Sequence, residues 1–176
     1  MYIFFREESC FLNMEDKTRE LLEVLEKNSR TEIKDLAVML DENEADIAVQ
    51  MTQLEKDKVI FGYHTMINWD KVMVDRVTAL IEVRVTPQRG DGFDNIAQRI
   101  YQFDEVSAVY LMSGAFDLTV IVEGRTMKEV ALFVAQRLAP IDQVLSTSTH
   151  FVLKRYKDHG VVLEEDEKDE RMLVSP

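Results

Sequence analysis

The spacing of apolar side chains changes near the middle of the chain, from the period of a helix to that of a strand. Before residue 60, large aliphatic residues recur every three or four positions, as in Ile33, Leu36 and Leu40. From Val77 to Thr86, apolar residues occupy every second position. A helix buries one stripe at a period of about 3.6, whereas a strand buries one face at a period of 2. The chain is therefore predicted to be an α+β protein, helical in its N-terminal part and sheet-forming in its C-terminal part.

The N-terminal part is predicted to hold three short helices, at about residues 15–28, 31–40 and 44–58. Thr31 and Asn43 precede the second and third helices, and each is predicted to cap the first turn that follows it. A three-residue polar turn at 41–43 separates these two helices, which is typical of a helix-turn-helix. The β-rich stretch 59–67 predicts a strand or small wing, so the module is interpreted as a winged helix-turn-helix.

The C-terminal part is predicted to follow the order βαββαβ. Strands are expected at about 77–86, 106–112, 116–122 and 144–154, and helices at about 93–103 and 126–138, the last capped by Thr126. The natural closure of this order is an antiparallel sheet with both helices on one face, the ferredoxin-like arrangement. The other face carries Thr, Ser, Tyr and Val side chains with no third layer to cover it, so it is expected to pair with a second copy.

Composition restricts the location and the chemistry of the chain. Its 176 residues are 46% hydrophobic, which suffices for two small domains with buried cores. The single cysteine, Cys10, excludes an internal disulfide and fits a cytoplasmic location. No segment has the roughly 18 to 20 uninterrupted apolar residues that span a bilayer. Residues 1–13 are interpreted as an extension from an upstream translation start, with Met14 as the natural first residue; the alternative is a short arm that adds a strand or packs on a partner.

Four short stretches, taken in their order and spacing, carry a family resemblance. They are Leu36-Ala37, Leu54-Glu55-Lys56, Val59-Ile60-Phe61-Gly62-Tyr63 and Gly114-Ala115-Phe116-Asp117. Over about residues 15–156 the chain resembles the Lrp/AsnC family of bacterial and archaeal regulators. The resemblance implies a homodimer, often building to an octamer, that binds DNA through its N-terminal domains. It also implies that an amino acid or a similar small metabolite binds at contacts between C-terminal domains.

These patterns divide the chain into five parts. They are the extension 1–13, a helix-turn-helix domain 14–62, a β-rich connector 63–75, a ferredoxin-like effector-binding and oligomerisation domain 76–156, and an acidic C-terminal arm 157–176. An acidic run at 164–170 would by itself predict a solvated end. The apolar stretches on either side of the run, 160–163 and 172–174, favour a β-hairpin or an arm that packs on a neighbouring subunit.

The charge of the N-terminal module opposes the DNA binding that the resemblance implies. The whole chain has a net charge of −12, and residues 14–58 contain 13 acidic and 7 basic residues. Affinity for DNA rests largely on Lys and Arg that displace counterions from phosphates. The residues predicted to contact DNA are Arg30, Lys34, Asp46, Gln50, Thr52, Gln53 and Lys56, joined by Lys58 as a weak phosphate contact.

Among these candidates, Gln50, Thr52 and Gln53 are expected to hydrogen-bond base edges, while the basic side chains contact phosphates. The alternative is a module that keeps its fold, has lost DNA binding and contacts a protein or another subunit. A related hypothesis is that the chain acts only in a mixed oligomer or with a basic partner.

The connection between the two middle strands is the predicted effector site. Gly114 is expected where the backbone turns tightly or approaches a ligand. Asp117 is expected either to accept hydrogen bonds from a ligand ammonium or to cap the turn. The residues predicted to bind the effector are Met112, Ser113, Gly114, Phe116, Asp117, Thr147 and Thr149.

Enzymatic and metal-binding functions are not expected from this sequence. No pair among His64, His150 and His159 has the spacing of a helical metal site, and no cofactor, phosphate-binding loop or nucleophile motif is predicted. The remaining enzymatic alternative is a decarboxylase of the haem pathway with the same two-domain fold. Such an enzyme needs basic and His residues to hold a substrate with several carboxylates, and this acidic chain has few of them in its predicted sheet.

Overall fold

The computed structural model describes residues 16–72, 75–86 and 92–163. The chain forms two compact units that divide between Ile67 and Asn68. Each unit has its own hydrophobic core.

The N-terminal unit contains three helices, α1 (Asp16–Lys27), α2 (Ile33–Leu40) and α3 (Glu44–Lys56). Each helix buries one apolar stripe, although Ile33, the first residue of the stripe predicted for α2, is exposed. The core consists of Leu21, Leu25, Leu36, Ala37, Leu40, Ile47 and Leu54. Burial of one stripe from each helix holds the three together, because short helices of this length are marginal in isolation.

The ends of these helices agree only in part with the predicted caps. The side chain of Asn43 caps α3 by accepting a hydrogen bond from the Asp46 N–H at 2.9 Å, as predicted. The prediction for Thr31 is wrong, because α2 begins one residue later, after Glu32, and no side chain caps it. The Thr31 hydroxyl instead donates to the Asn28 carbonyl oxygen at 2.8 Å, and this bond closes the turn after α1.

The predicted strand or wing at 59–67 does not form in the described part of the chain. After α3, Lys58 adopts a left-handed conformation (φ 58°), and the N–H groups of Val59 and Ile60 both donate to the Leu54 carbonyl oxygen. Val59 and Ile60 therefore pack back against the helical core. The residues that follow, 61–68, have no strand partner among the described residues, and an extended segment without a partner leaves its backbone groups to solvent.

The second unit begins with a short 3₁₀ turn, Trp69–Val72, and is built on a four-stranded sheet. Its strands are β1 (Val77–Val85), β2 (Val106–Leu111), β3 (Leu118–Gly124) and β4 (Val144–Phe151). Their spatial order is β2-β3-β1-β4, and all neighbours are antiparallel. This is the arrangement that the predicted order βαββαβ requires.

Helices α4 (Asp94–Tyr101) and α5 (Met127–Phe133) cover one face of this sheet. Residues at alternate positions of β1 and β3 pack against them. The buried residues are Ala79, Ile81, Val83, Val85, Ile96, Ile100, Leu118, Val120, Val122, Val130, Phe133, Val134 and Leu138. Gly124 permits close approach of α5 at the end of β3, because a Cβ there would lie 3.0 Å from the Val130 side chain. Thr126 caps α5 as predicted, accepting from the Glu129 N–H.

The last turn of α5 departs from the sequence prediction. The α-helix stops at Phe133, and a π-helical turn, Val134–Leu138, completes it, with the Ala139 N–H donating to the Val134 carbonyl oxygen at 2.8 Å. The wider turn coincides with burial of both Val134 and Leu138. Hydrophobic periodicity does not distinguish one π turn from an α turn, because both bury the same residues.

The opposite face of the sheet, called the bare face here, carries the alternate residues of the four strands. They are Thr78, Leu80, Glu82, Arg84, Ala108, Tyr110, Thr119, Ile121, Glu123, Ser146, Ser148 and His150. No described helix or strand packs over this face, although Thr78 and Thr119 are buried and the Arg155 side chain donates to the Thr78 hydroxyl. Its centre is mixed in character, since Leu80 and Ile121 lie beside Glu82 and Thr119.

A small hairpin follows the sheet. Strands β5 (Lys157–Asp158) and β6 (Val161–Val162) pair across a turn at His159 and Gly160, both at positive φ. This hairpin differs from the predicted one, which is expected from the stretches 160–163 and 172–174, and residues 172–174 lie outside the described residues. The acidic run at 164–170 lies outside the described residues, as do the extension 1–13 and Cys10.

Candidate functional sites

The outward surface of α3 is the first candidate site. Ile47 and Leu54 anchor the helix in the core, so the residues on the opposite side face solvent. Val49 is 70% exposed, and Ala45, Thr52 and Lys56 are exposed on the same side. Residues three or four positions apart lie on the same side of a helix, so these exposed side chains form one continuous stripe.

The polar residues of α3 that were predicted to contact base edges differ in burial and in their hydrogen-bond partners. Gln50 is half-buried, and its amide donates to the Thr18 hydroxyl on α1 at 2.6 Å. The Gln53 amide lies 2.9 Å from both carboxylate oxygens of Asp57. The Thr52 hydroxyl donates to the Ala48 carbonyl oxygen at 2.8 Å. Each of the three residues therefore uses a hydrogen-bond donor within the unit.

Asp46 belongs to the capping structure at the start of α3. Its N–H donates to the Asn43 side chain, and its carboxylate accepts from the amide of the same asparagine. The carboxylate is exposed at the helix N-terminus, where the helix dipole stabilises a negative charge. The same charge opposes the approach of a phosphate.

The basic side chains of the N-terminal unit are partly neutralised by acidic neighbours. Lys34 lies 2.7 Å from Glu32. Lys17 lies 2.5 Å from Glu42, and the hydrogen bond with Glu42 raises the pKa of Lys17 above its ordinary value. Arg30, Lys56 and Lys58 form no ion pair among the described residues, so they are the predicted phosphate contacts that remain available.

The connection between β2 and β3, Met112–Asp117 and here called the 112–117 loop, is the second candidate site. It is longer than the tight turn predicted at 113–115, because β3 begins only at Leu118. The Met112 N–H donates to the Asp117 carbonyl oxygen at 2.8 Å, and the Asp117 N–H donates to the Val83 carbonyl oxygen at 3.1 Å. These two bonds close the base of the loop.

The carboxylate of Asp117 holds the loop against β1. Its Oδ2 accepts a hydrogen bond from the Val85 N–H at 2.8 Å in a half-buried position. The backbone ladder between β1 and β3 ends at the pair of Val83 and Leu118, so this side chain supplies the next acceptor. The sequence indicated a turn-capping role as one alternative, but not the strand it would reach.

The rest of the 112–117 loop is open. Met112, Ser113 and Ala115 are exposed and Phe116 is half-buried. A Cβ added at Gly114 would meet no atom within 4 Å, and this glycine does not adopt a positive φ. Neither backbone geometry nor packing within the protomer therefore requires a glycine there.

The two threonines predicted for the effector site lie apart from this loop. Thr147 pairs with Val83 and Thr149 with Ile81, and both partners are in the core. The threonines therefore point to the helix-covered side of edge strand β4. Asp117 lies on the other side of β1, two strand spacings away, or about 10 Å. Within one protomer, the predicted effector residues do not form a single cluster.

Two polar pairs were not identified from the sequence. On the bare face, His150 Nε2 lies 3.5 Å from a Glu82 carboxylate oxygen, a contact made by neighbouring strands far apart in sequence. In the N-terminal unit, the Tyr63 hydroxyl donates to Glu55 at 2.9 Å. Partial burial, with help from this hydrogen bond, raises the pKa of Tyr63.

Among residues 16–72, 75–86 and 92–163, no group of three or more His, Cys, Asp or Glu side chains is arranged to hold a metal ion. The helices in these ranges are all too short or too polar to cross a membrane.

Fold and sites together define a class: a three-helix unit followed by an α+β unit with one open sheet face and an exposed loop. A family model described as the Lrp/AsnC ligand binding domain matches residues 78–162. The HTH-type transcriptional regulator YugG of Bacillus subtilis, itself uncharacterised, is 46% identical over 94% of this chain and 100% of its own length. An uncharacterised HTH-type regulator of Pyrococcus horikoshii is 31% identical over 80% of this chain and 91% of its own length.

A solved structure shares the fold at lower identity. A transcriptional regulator from Neisseria meningitidis in complex with L-Met is 20% identical, with a TM-score of 0.67 over 82% of this chain and 93% of its own. Taken with the closer relatives, these matches establish the family. The chain belongs to the Lrp/AsnC family of transcriptional regulators. Its relatives carry the names of regulators and not of enzymes, which argues against the decarboxylase alternative.

Proposed function

We propose that this chain is a cytoplasmic homo-oligomeric regulator that binds DNA through α2 and α3 and senses an amino acid or a related metabolite through its second unit. The observation that carries the DNA-binding part is the exposed stripe on α3, preceded by a three-residue turn, in a chain whose relatives are named HTH-type regulators. The second helix of a helix-turn-helix enters the major groove with such a face.

The charge distribution predicts how this binding responds to salt. Within the described residues, Arg30, Lys56 and the weaker candidate Lys58 are the predicted phosphate contacts without an ion pair, and Lys34 is neutralised by Glu32. Each neutralised phosphate contributes about −0.9 to the slope of log K against log salt concentration. A protomer with two or three available cations is therefore expected to give a slope of only about −2 to −3.

Titration of the pure chain with DNA from upstream of its own gene, at several salt concentrations, measures this slope. Substitution of Arg30→Ala is expected to reduce it by about one unit per protomer. Lys27→Ala is the matched control, since Lys27 is exposed in the last turn of α1 and outside the predicted contacts. If pure chain binds no DNA even at low salt, the alternative holds: an acidic module that contacts a protein or a basic partner.

The sensing part of the proposal rests on the 112–117 loop. It is exposed, anchored at its base by Asp117, and contains a glycine that the protomer itself does not require. The matching family model is described as a ligand binding domain, and the Neisseria relative is a complex with L-Met. Thr147 and Thr149 remain candidates only if the loop of another copy reaches their edge of the sheet.

Thermal unfolding in the presence of each of the twenty amino acids tests this part, because a ligand that binds the native state raises the unfolding temperature. Gly114→Val is expected to leave the unliganded unfolding temperature unchanged, since a Cβ there meets no atom within 4 Å, and to abolish the ligand-induced rise. Ala131→Val, at an exposed position of α5, is the control that should retain the rise. A full rise in Gly114→Val would move the effector site away from this loop.

Oligomerisation is proposed through the bare face. Leu80 and Ile121 are half-buried at its centre, while the opposite face is fully covered by α4 and α5. A sheet open on one side buries its apolar residues most simply against the same face of a second copy. Association of such dimers into an octamer is the larger assembly that the family resemblance suggests.

A further inference from the structure

Three small side chains with methyl groups lie along the outward side of α3. Ala45, Val49 and Thr52 are spaced four and three residues apart, so they lie on one side of the helix, opposite its buried residues. All three are exposed. Val49 is an aliphatic side chain on the solvent side of a short helix, and its two methyl groups have no neighbours in the core.

The side-chain donors of α3 that would read bases by hydrogen bonding already have partners within the unit. The Gln50 amide donates to Thr18, and the Gln53 amide donates to Asp57. The Thr52 hydroxyl donates to the preceding turn of its own helix, which leaves its methyl group as the unused part. The basic side chain on the outward face, Lys56, lies only in the last turn.

We propose that α3 recognises its DNA site through the C5-methyl groups of thymines, by direct contact with Val49 and Thr52 and with Ala45 beside them. The thymine methyl is the apolar group that the major groove displays, and small apolar side chains contact it. This inference rests on the proposed DNA-binding function and specifies which bases that function selects. It also explains how a DNA-contacting helix with few basic side chains selects a site, because contacts with methyl groups require no positive charge.

The test uses the full-length chain and a library of random DNA duplexes. Bound duplexes are selected and sequenced, and in the best site each thymine is replaced in turn by uracil, which removes only the methyl group. At contacted positions the affinity is expected to fall about three- to fivefold for each methyl lost, the effect of burying one such group.

Two valine variants assign the effect to a residue. In Val49→Ala the uracil penalty at the contacted thymine should shrink toward no change, because the partner of that methyl has been removed. Val72→Ala is the matched control: Val72 is 52% exposed in the 3₁₀ turn Trp69–Val72, outside α2 and α3, and this variant should keep the full penalty. Val49→Thr, with nearly the same shape, serves as a second variant and should keep part of it.

The outcomes separate this inference from the proposed function. Enrichment of sites that bind equally well with uracil at every thymine would overturn the methyl reading while leaving DNA binding intact. An equal uracil penalty in Val49→Ala and in the unaltered chain would also overturn it. Failure to enrich any duplex would overturn the DNA-binding function, and the methyl reading with it.

Discussion

At the scale of single residues, a hydrogen bond to a distant residue limits which atoms of a polar side chain can contact DNA or a ligand. Gln50 looks from the sequence like a base reader, but its amide is held by Thr18, a residue 32 positions away. Asp117 looks like a ligand acceptor, and one of its oxygens already accepts from Val85. Such long-range partners are invisible to local pattern, because spacing along the chain gives no information about contacts between distant segments.

The Asp117 bond predicts a difference between two substitutions. Asp117→Ala leaves the half-buried Val85 N–H without its acceptor, and we expect a loss of about 1–3 kcal/mol in the free energy of unfolding of the second unit. Asp117→Asn keeps an oxygen in the same place, so most of this stability should remain. Urea unfolding followed by circular dichroism measures both. Equal losses in the two variants would contradict a role as a neutral acceptor and indicate that the charge is required.

At the scale of elements, the ends of helices show most clearly where sequence rules hold. Asn43 and Thr126 cap α3 and α5 as their residue types predict. Helix α2 ends instead at Asp41, which adopts a left-handed conformation (φ 50°, ψ 52°) that lets the Glu42 N–H reach the Ala37 carbonyl oxygen. Glycine is the usual residue at such a position.

This left-handed residue predicts a stabilising substitution. Asp41→Gly should raise the free energy of unfolding of the N-terminal unit by about 0.5–1 kcal/mol, because glycine adopts this conformation without a steric penalty. It also removes a negative charge from a helix C-terminus. The contact that Lys17 makes at Asp41 is to the backbone oxygen and survives the change.

Asp35→Gly is the matched comparison, since Asp35 lies in the first turn of the same helix. There the glycine should lower stability by about 0.5–1 kcal/mol. Thermal unfolding of both variants is sufficient to compare them. A destabilised Asp41→Gly variant would mean that the aspartate side chain makes a contribution larger than the cost of its conformation.

At the scale of the whole molecule, the central question is what covers the bare face. The face combines apolar residues with charged ones, and Glu82 and His150 lie next to each other there. If a second copy packs on it, a charge placed among its apolar residues has to be buried without a partner, which is costly.

Ile121→Glu is therefore expected to convert the oligomer to monomers without unfolding the second unit, because Ile121 faces away from the core of its own protomer. Sedimentation or light scattering gives the mass, and circular dichroism reports the fold. Leu132→Glu, at an exposed position of α5, should leave the mass unchanged. A variant Ile121→Glu with the mass of the unaltered protein would exclude the bare face as the main interface.

The sequence by itself determined the order of the main elements, most residues of both cores and two of the helix caps. Each of these depends on local periodicity or on a bond between near neighbours, and such signals survive without tertiary context. Only the tertiary structure decided that residues 59–67 form no wing within the described chain, that α5 closes with a π turn, and that Thr147 faces the helices. It also showed which side chains of α3 remain free, because that depends on Thr18 and Asp57 as partners. The change of hydrophobic period near residue 60 therefore fixes what kinds of elements form, while long-range packing decides which of their side chains are left to function.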